Sequence, residues 1–185
     1  MKTKMNNMSR IMSRTLTLPA LMLAAAMMSS PNKALAGEAS TSAGVTQIGS
    51  LPGTAEASAN YIGDGRGQAR TTTRSGPVSF GQGIAYGVDR DGFDFSVSYA
   101  VGGRFLPATA STFNVSIGRD GSVASSGGLS TASRAPIRSV NAGGFARSQP
   151  GGSVAAATAG GRSDPRGTVI GRTWSRSTPA RRLFR

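Results

Sequence analysis

The sequence has 185 residues, of which 38% are apolar and 6% aromatic, and its 21 Lys and Arg against 8 Asp and Glu give a formal net charge of +13. It contains neither Cys nor His, which excludes disulfides, thiol nucleophiles, histidine bases and the usual zinc and haem ligands. Most enzyme mechanisms are therefore closed to it. We predict a non-catalytic protein with no cofactor and with no catalytic, cofactor-binding or metal-binding residues.

Residues 1–36 have the pattern of a secretory signal peptide. Basic residues precede an apolar run over 16–28, and Ala-Leu-Ala at 34–36 stands before Gly37. This order predicts a signal helix that is cleaved before Gly37 and a secreted or periplasmic product. The apolar run has 13 residues, whereas a membrane span needs about 20, so we expect no transmembrane segment after cleavage. An organelle transit peptide is the alternative interpretation.

Removal of this leader changes the charge and chemistry of the chain. All three Lys lie within 1–36, so the remainder carries sixteen Arg and eight carboxylates. A chain without Lys has neither a Schiff-base lysine nor a P-loop lysine. The absence of His and Lys also leaves a serine nucleophile without a base.

Residues 37–76 are rich in Ser, Thr, Ala and Gly. Their few large apolar residues keep neither the helical period nor the strand period, which is typical of a flexible segment. We therefore predict that 37–76 is disordered.

Residues 77–130 differ because large apolar residues alternate with polar or small ones. This period of two indicates half-buried antiparallel strands. We predict a small, mainly β unit at 77–130, a meander of three to four antiparallel strands flanked by long disordered segments. The alternating apolar residues are Val78, Phe80, Ile84, Tyr86 and Val88, then Phe93, Phe95, Val97, Tyr99 and Val101, then Phe113, Val115 and Ile117.

Two Arg-Asp-Gly sequences mark the hairpin turns, and the apolar pattern restricts their register. At the first turn, Val88 can oppose Phe93 across a four-residue loop or Phe95 across a two-residue turn. At the second, a three-residue loop with Gly121 in the left-handed region places Ile117 opposite Val123. We expect two hairpins with different turns.

One face of such a meander is apolar, and it must pack against other residues for the sheet to be stable in water. The connection that contains Phe105 and Leu106 could fold beneath it. Other candidates are isolated apolar residues such as Val169 and Trp174, a second copy of the chain, or another surface.

Residues 131–185 form an Arg-rich segment with ten Arg and one acid, Asp164. Such a segment is predicted to be a solvated, disordered tail. Arginine pairs with phosphate, sulfate and carboxylate, and many such contacts add up. We predict that the tail binds anionic envelope polymers or lipid headgroups. The candidate anion-binding residues are Arg162, Arg166, Arg172, Arg176, Arg181, Arg182 and Arg185. Aromatic residues are too few to indicate a specific nucleic-acid partner.

A cluster of acids at Asp89, Asp91 and Asp94 has a spacing that partly matches calcium loops. The EF-hand pattern requires Gly at the sixth position and Glu at the twelfth, and those positions hold Asp94 and Ala100. We interpret the cluster as a polar hairpin turn with Asp94 in solvent. Weak cation binding, or an enzyme that uses these carboxylates, remains an alternative.

The leading hypothesis is thus an exported, non-catalytic envelope or extracellular protein that binds anionic surfaces through its tail. A second hypothesis is a subunit of a self-associating extracellular β assembly, because an uncovered apolar face and open strand edges favour strand addition between chains.

Overall fold

The computed structural model describes residues 37–133 and 135–179, and it arranges them as ten antiparallel strands in two sheets. All ten strands belong to one compact unit. In chain order they are β1 (Glu38–Ile48), β2 (Thr54–Ile62), β3 (Arg66–Arg74), β4 (Val78–Val88), β5 (Gly92–Gly103), β6 (Ala108–Gly118), β7 (Val123–Ser133), β8 (Ile137–Gln149), β9 (Gly152–Asp164) and β10 (Thr168–Thr178).

The two sheets lie face to face. The four-stranded sheet has the order β2-β1-β8-β9, and the six-stranded sheet has the order β10-β7-β6-β5-β4-β3. Strands β3 to β7 form an uninterrupted meander of hairpins, and β10 adds to its far edge beside β7. The chain changes sheet after β2, after β7 and after β9. The two edges of one sheet therefore lie next to the edges of the other.

Small side chains fill the space between the sheets. The main apolar cluster contains six Ala and two Val: Ala43, Val45, Ala100, Ala108, Ala110, Ala132, Val140 and Ala142. Glycine brings the backbones of β4 and β2 into direct contact, since a Cβ added at Gly81 would lie 2.7 Å from the Glu56 carbonyl oxygen, and one at Gly83 would overlap that of Ser58. The sheets pack closely where only small side chains lie between them, and the Tyr61 ring of β2 fits against Gly67 and Gly87 at one edge.

The rest of the interior is a network of buried hydroxyl and amide groups. Thr41 of β1 is hydrogen-bonded across the interface to the hydroxyls of Ser96 (2.8 Å) and Ser98 (2.7 Å). Ser96 donates to Asn114 Oδ1 at 2.6 Å. Asn114 Nδ2 in turn donates to Ser126 Oγ and to the Ala156 carbonyl oxygen, both at 3.1 Å. A buried polar group is tolerated when its hydrogen bonds are made, and this network connects the two sheets.

The predicted fold class, a meander of three to four strands flanked by long disordered segments, is wrong, because ten strands extend from Glu38 to Thr178. The segments expected to be disordered, over 37–76 and in 131–185, form β1 to β3 and β8 to β10. Their alternation is one of side-chain size rather than hydropathy: in β1, for example, buried Ala39, Thr41 and Ala43 alternate with more exposed positions. A sheet interface built from small residues needs no large apolar side chains, so the apolar pattern gave no sign of these strands.

The alternation predicted for 77–130 is confirmed, but the large apolar residues point away from the other sheet. In β5 the buried positions include Asp94, Ser96, Ser98 and Ala100. Asp94, expected in solvent, is only 1% exposed. The apolar residues of that strand face outward because the closely packed interface has no room for them.

The register predictions for both hairpins agree with the structure. Val88 pairs with Phe93, which is the four-residue alternative. Ile117 pairs with Val123, and Gly121 has a φ of 81°, as the three-residue loop requires. The connection after β5 does not cover the apolar face, since the Phe105 side chain is 85% exposed.

The predicted signal helix over 1–36 lies outside the described residues. Within 37–133 and 135–179, no helix has the length and apolar character needed to cross a bilayer.

Candidate anion-binding face

The outer face of the six-stranded sheet carries the large apolar residues of the meander. Register places Tyr86, Phe95 and Val115 side by side across β4, β5 and β6, and the neighbouring row contains Val97 beside Phe113. These side chains pack against each other, but several remain partly exposed. Those that remain more than a third exposed on this face are Val78, Tyr86, Val88, Tyr99, Phe113, Ile117, Val123, Leu129, Ile170 and Trp174.

Trp174 extends this apolar surface onto β10. Both Phe113 and Trp174 pair with Gly127 of β7, one from each side. A Cβ on Gly127 would lie 2.6 Å from Trp174 Nε1, so the glycine leaves room for the indole to lie across β7. The two rings meet at a centroid distance of 6.1 Å, so Trp174 extends the apolar surface of the meander sideways and does not cover it.

Arginine residues stand on both sides of the apolar surface. Strand β3 places Arg66, Arg70 and Arg74 opposite Val88, Ile84 and Phe80 of β4, and these six side chains share the outer face. On the other edge, Arg172 and Arg176 flank Trp174 along β10. Residues four apart in a strand are about 13 Å apart, and edge strands of a six-stranded sheet are about 24 Å apart. All five arginines lie on exposed strand positions.

No outward-facing position in these six strands is acidic. We call this surface, with its apolar centre and five arginines, the arginine-flanked face. Gln68 is also part of it and accepts a hydrogen bond of 2.7 Å from the Tyr86 hydroxyl. The face therefore combines positive charge at its edges with aromatic and aliphatic side chains between them.

The outer face of the four-stranded sheet is different. Its strand centres carry mostly Ser, Thr, Asn and Gly, as at Ser42, Ser58 and Asn141, with Phe145 as the aromatic residue among them. Its exposed large apolar residues lie near strand ends, at Ile48, Ile62, Ile137 and Val154. Its charges have both signs, with Arg162 paired to Asp164 at 3.0 Å. This second face has the composition of an ordinary solvated surface.

The structure separates the seven predicted anion-binding arginines. Arg172 and Arg176 lie on the arginine-flanked face, Arg162 lies on the opposite side of the molecule, and Arg166 occupies the connection between β9 and β10. Arg181, Arg182 and Arg185 lie outside the described residues. The seven are not one mobile tail, because the segment up to Thr178 is folded into strands.

Sequence reasoning missed the three arginines of β3. Their signal was present, since Arg66, Arg70 and Arg74 occur at intervals of four residues and therefore have the same parity. It was overlooked because 37–76 was interpreted as disordered, and parity has no meaning in a disordered segment.

The acidic cluster Asp89, Asp91 and Asp94, considered above for cation binding or catalysis, lies at one end of the sandwich. Asp89 Oδ1 accepts hydrogen bonds from the backbone N–H groups of Asp91 (2.8 Å) and Gly92 (3.0 Å), which fixes the turn. Asp94 Oδ2 accepts one from the Ser148 hydroxyl at 2.8 Å. Of the three, Asp89 and Asp94 meet beside Gly37, while Asp91 contributes a backbone donor. Among the described residues, no group of three or more acidic side chains is arranged to hold a metal ion.

Burial acts against the charged forms of two acids at this end, Asp94 and Glu38. Burial raises the pKa of the Asp94 carboxyl above its usual range, and the charge of Asp89 adds to the rise, whereas hydrogen bonding by Ser116 and Ser148 opposes it. Burial likewise raises the pKa of the Glu38 carboxyl, with Arg147 opposing.

No protein-family model matches the chain, and comparisons with curated proteins and with solved structures find no match.

Proposed function

We propose that the protein is an exported, non-catalytic binding protein that attaches to anionic lipid surfaces through the arginine-flanked face. The observation that carries the proposal is the placement of five arginines on both sides of a continuous apolar surface without an acidic residue among them. Arginine forms paired hydrogen bonds with phosphate groups. A secreted or periplasmic location would bring this face to membrane lipids.

The apolar centre favours a lipid layer over a soluble polyanion. A polysaccharide or nucleic acid chain would use the arginines but would leave the aromatic and aliphatic surface from β4 to β10, about 19 Å wide, without a matching partner. A lipid layer offers phosphate groups at the level of the arginines and apolar chains beneath them. Aromatic side chains such as Trp174 and Tyr99 are also the residues that membrane interfaces favour.

Charge argues against a second copy on the same face. Two copies stacked through this surface would bring five arginines of one chain towards five of the other, and like charges at an interface are strongly unfavourable. The arginines on edge strands β3 and β10 also hinder strand addition. An anionic partner complements this surface, whereas another copy of it does not.

A vesicle-binding experiment tests the proposal. The double variant Arg172→Gln/Arg176→Gln removes two positive charges from the face. Because each arginine contributes about 1 kcal/mol near an anionic surface, we expect affinity for vesicles containing phosphatidylglycerol to fall roughly 10- to 30-fold. The matched control Arg90→Gln/Arg119→Gln removes two charges from exposed turns and is expected to fall less than threefold.

Vesicle binding is also measured at different salt concentrations and with different lipids. Binding of the unaltered chain should weaken from low to high salt and should be lost on zwitterionic vesicles. Trp174 is the only tryptophan, so its emission should shift to shorter wavelength when vesicles are added. Equal losses in the two double variants, or an unchanged Trp174 emission on binding, would contradict the use of this face.

A further inference from the structure

Gly37 lies against two carboxylates at the acidic end of the sandwich. A Cβ built on this residue would overlap the Asp89 carboxylate and would lie 2.9 Å from Asp94 Oδ2. The backbone nitrogen is about 2.5 Å from such a Cβ position, so it lies within about 5.5 Å of both Oδ2 atoms. No residue other than glycine fits here without movement of the acids.

Two polar atoms close to Gly37 lack partners. Asp89 Oδ2 and the Tyr61 hydroxyl are buried and make no hydrogen bond within the described residues. The Asp94 oxygen that lies beside Gly37, Oδ2, accepts one hydrogen bond from Ser148, and the other oxygen of that carboxylate is buried and unpaired. Asp94 is itself 1% exposed. Leaving a buried carboxylate oxygen unpaired costs more free energy than almost any other polar defect. A positive group at this position would remove that cost.

The surrounding charge is also unbalanced. The acids that face this end are Glu38 of β1, Asp64 after β2, Asp89 and Asp94. Arg147 of β8, the register partner of Glu38, acts on this end, and Arg66 and Arg90 lie beside Asp89 in the sheet and in the chain. Among the described residues none of these arginines forms an ion pair with Asp89 or Asp94, so a cation at Gly37 would be their direct partner.

We propose that the bond between residues 36 and 37 is hydrolysed and that the new α-ammonium group of Gly37 forms the ion pair with Asp89 and Asp94. Water divides the peptide bond into a carboxylate on Ala36 and an amine on Gly37, and an α-amine with a pKa of about 8 is protonated at neutral pH. Removal of the predicted leader thus supplies the missing cation. This ion pair is independent of lipid binding.

The sequence makes a selective chemical test possible. All Lys lie within 1–36, so a chain that begins at Gly37 has its α-amine as its single amine. The full sequence is expressed with its leader in an exporting bacterium, and the purified product is first examined by mass spectrometry for a Gly37 N-terminus. Its rate of reaction with an amine-acylating reagent is then measured in the folded state and in denaturant.

We expect the folded chain to react at least tenfold more slowly than the unfolded chain, because an ion-paired ammonium is a poor nucleophile. Asp89→Asn and, separately, Asp94→Asn should raise the rate at least fivefold. The control Asp120→Asn, in an exposed turn, should leave it unchanged. The acetylated chain should also unfold about 3–8 °C below the free-amine chain, which tests the ion pair without any substitution.

Three results would overturn the proposal. One is an N-terminus other than Gly37, and another is protection that both Asp variants leave intact. The third is a metal-dependent effect, in which a chelator abolishes protection and added calcium restores it, since a bound metal would then be the cation.

Discussion

The two outer faces of the sandwich are built from the same kind of strand but differ in what they expose. On the four-stranded sheet most outward positions at strand centres are small and polar, as at Ser42 and Thr158, and one is aromatic, Phe145, whereas the six-stranded sheet presents several aromatic residues and five arginines. Both inner faces carry Ala, Ser, Thr and Gly. The difference between the outer faces therefore cannot come from the needs of the shared core.

The residues that hold the two sheets together are different from the large apolar residues on the arginine-flanked face. In most sandwiches the large apolar residues form the core between the sheets, and function is added at the loops. Here the interface is closed by small side chains, backbone contact and hydrogen bonds, so the large apolar residues of β4 to β6 are not required between the sheets. Their presence on one outer face is best explained by a partner for that face.

The interface between the sheets should be the most sensitive region. Gly83→Ala would push a methyl group into the Ser58 carbonyl oxygen, so the sheets must separate locally. We expect a loss of about 2–4 kcal/mol in the free energy of unfolding, at or above the usual range for overpacking, measured by urea denaturation. Gly152→Ala is the matched control because nothing lies within 4 Å of its added Cβ. Similar losses at the two positions would contradict the close approach of the sheets.

The buried hydrogen-bond network should be the next most sensitive. Asn114→Ala removes one acceptor and two donors, and it leaves the Ser126 hydroxyl and the Ala156 carbonyl group without the Asn114 donor, while Ser96 keeps Thr41. The expected loss is about 2–3 kcal/mol, since buried polar groups are left unpaired. Asn141→Ala, on the outer face of the four-stranded sheet, should change stability by less than about 0.5 kcal/mol. A reversed order would mean that the network does not connect the sheets.

The sequence predicted strands whose alternating residues are large and apolar, and it did not predict strands whose alternating residues are small. In β5, the alternation of Phe93 to Val101 predicted the strand. The pattern limited the first hairpin to two registers, of which one is present, and predicted the register of the second. It did not predict which face is buried, because a period of two is the same whichever side meets the other sheet.

The remaining strands were missed for a related reason. In β1 and β9 the alternating residues are Ala, Ser, Thr and Gly, whose hydropathies hardly differ, and the same composition is typical of disordered chains. In β10, Arg172 and Arg176 were interpreted as a solvated tail. Their partner strand β7 lies about forty residues away in the chain, and pairing at that distance leaves no local signal.

The acidic end should make stability depend on pH in an unusual direction. While the 36–37 bond is intact, the pKa of Asp94 is raised, by burial first and by the charge of Asp89 next. The folded state then holds its proton to higher pH than the unfolded chain does, so stability is greatest below the unfolded pKa of about 3.9 and falls as pH rises through the folded pKa. Glu38 acts in the same direction.

Unfolding midpoints measured from pH 3.5 to 7 check this dependence. In the chain with its leader, Asp94→Asn should flatten the decline over that range, and the exposed control Asp120→Asn should not. In the chain that begins at Gly37, the ammonium should weaken or reverse the decline, because it stabilises the charged carboxylates. A decline of the same size in Asp94→Asn would assign the dependence to other groups.

The smallest effect on stability is expected on the arginine-flanked face itself. Trp174→Ala removes the largest side chain of the molecule, but the indole is 51% exposed and its main aromatic contact is Phe113. We expect a loss of about 1 kcal/mol, less than the single methyl group added at Gly83 costs. Vesicle affinity should nevertheless fall by about tenfold, since a membrane-inserted indole would be lost. A larger loss of stability than in Gly83→Ala would mean that the outer apolar surface, and not the small-residue interface, stabilises the sandwich.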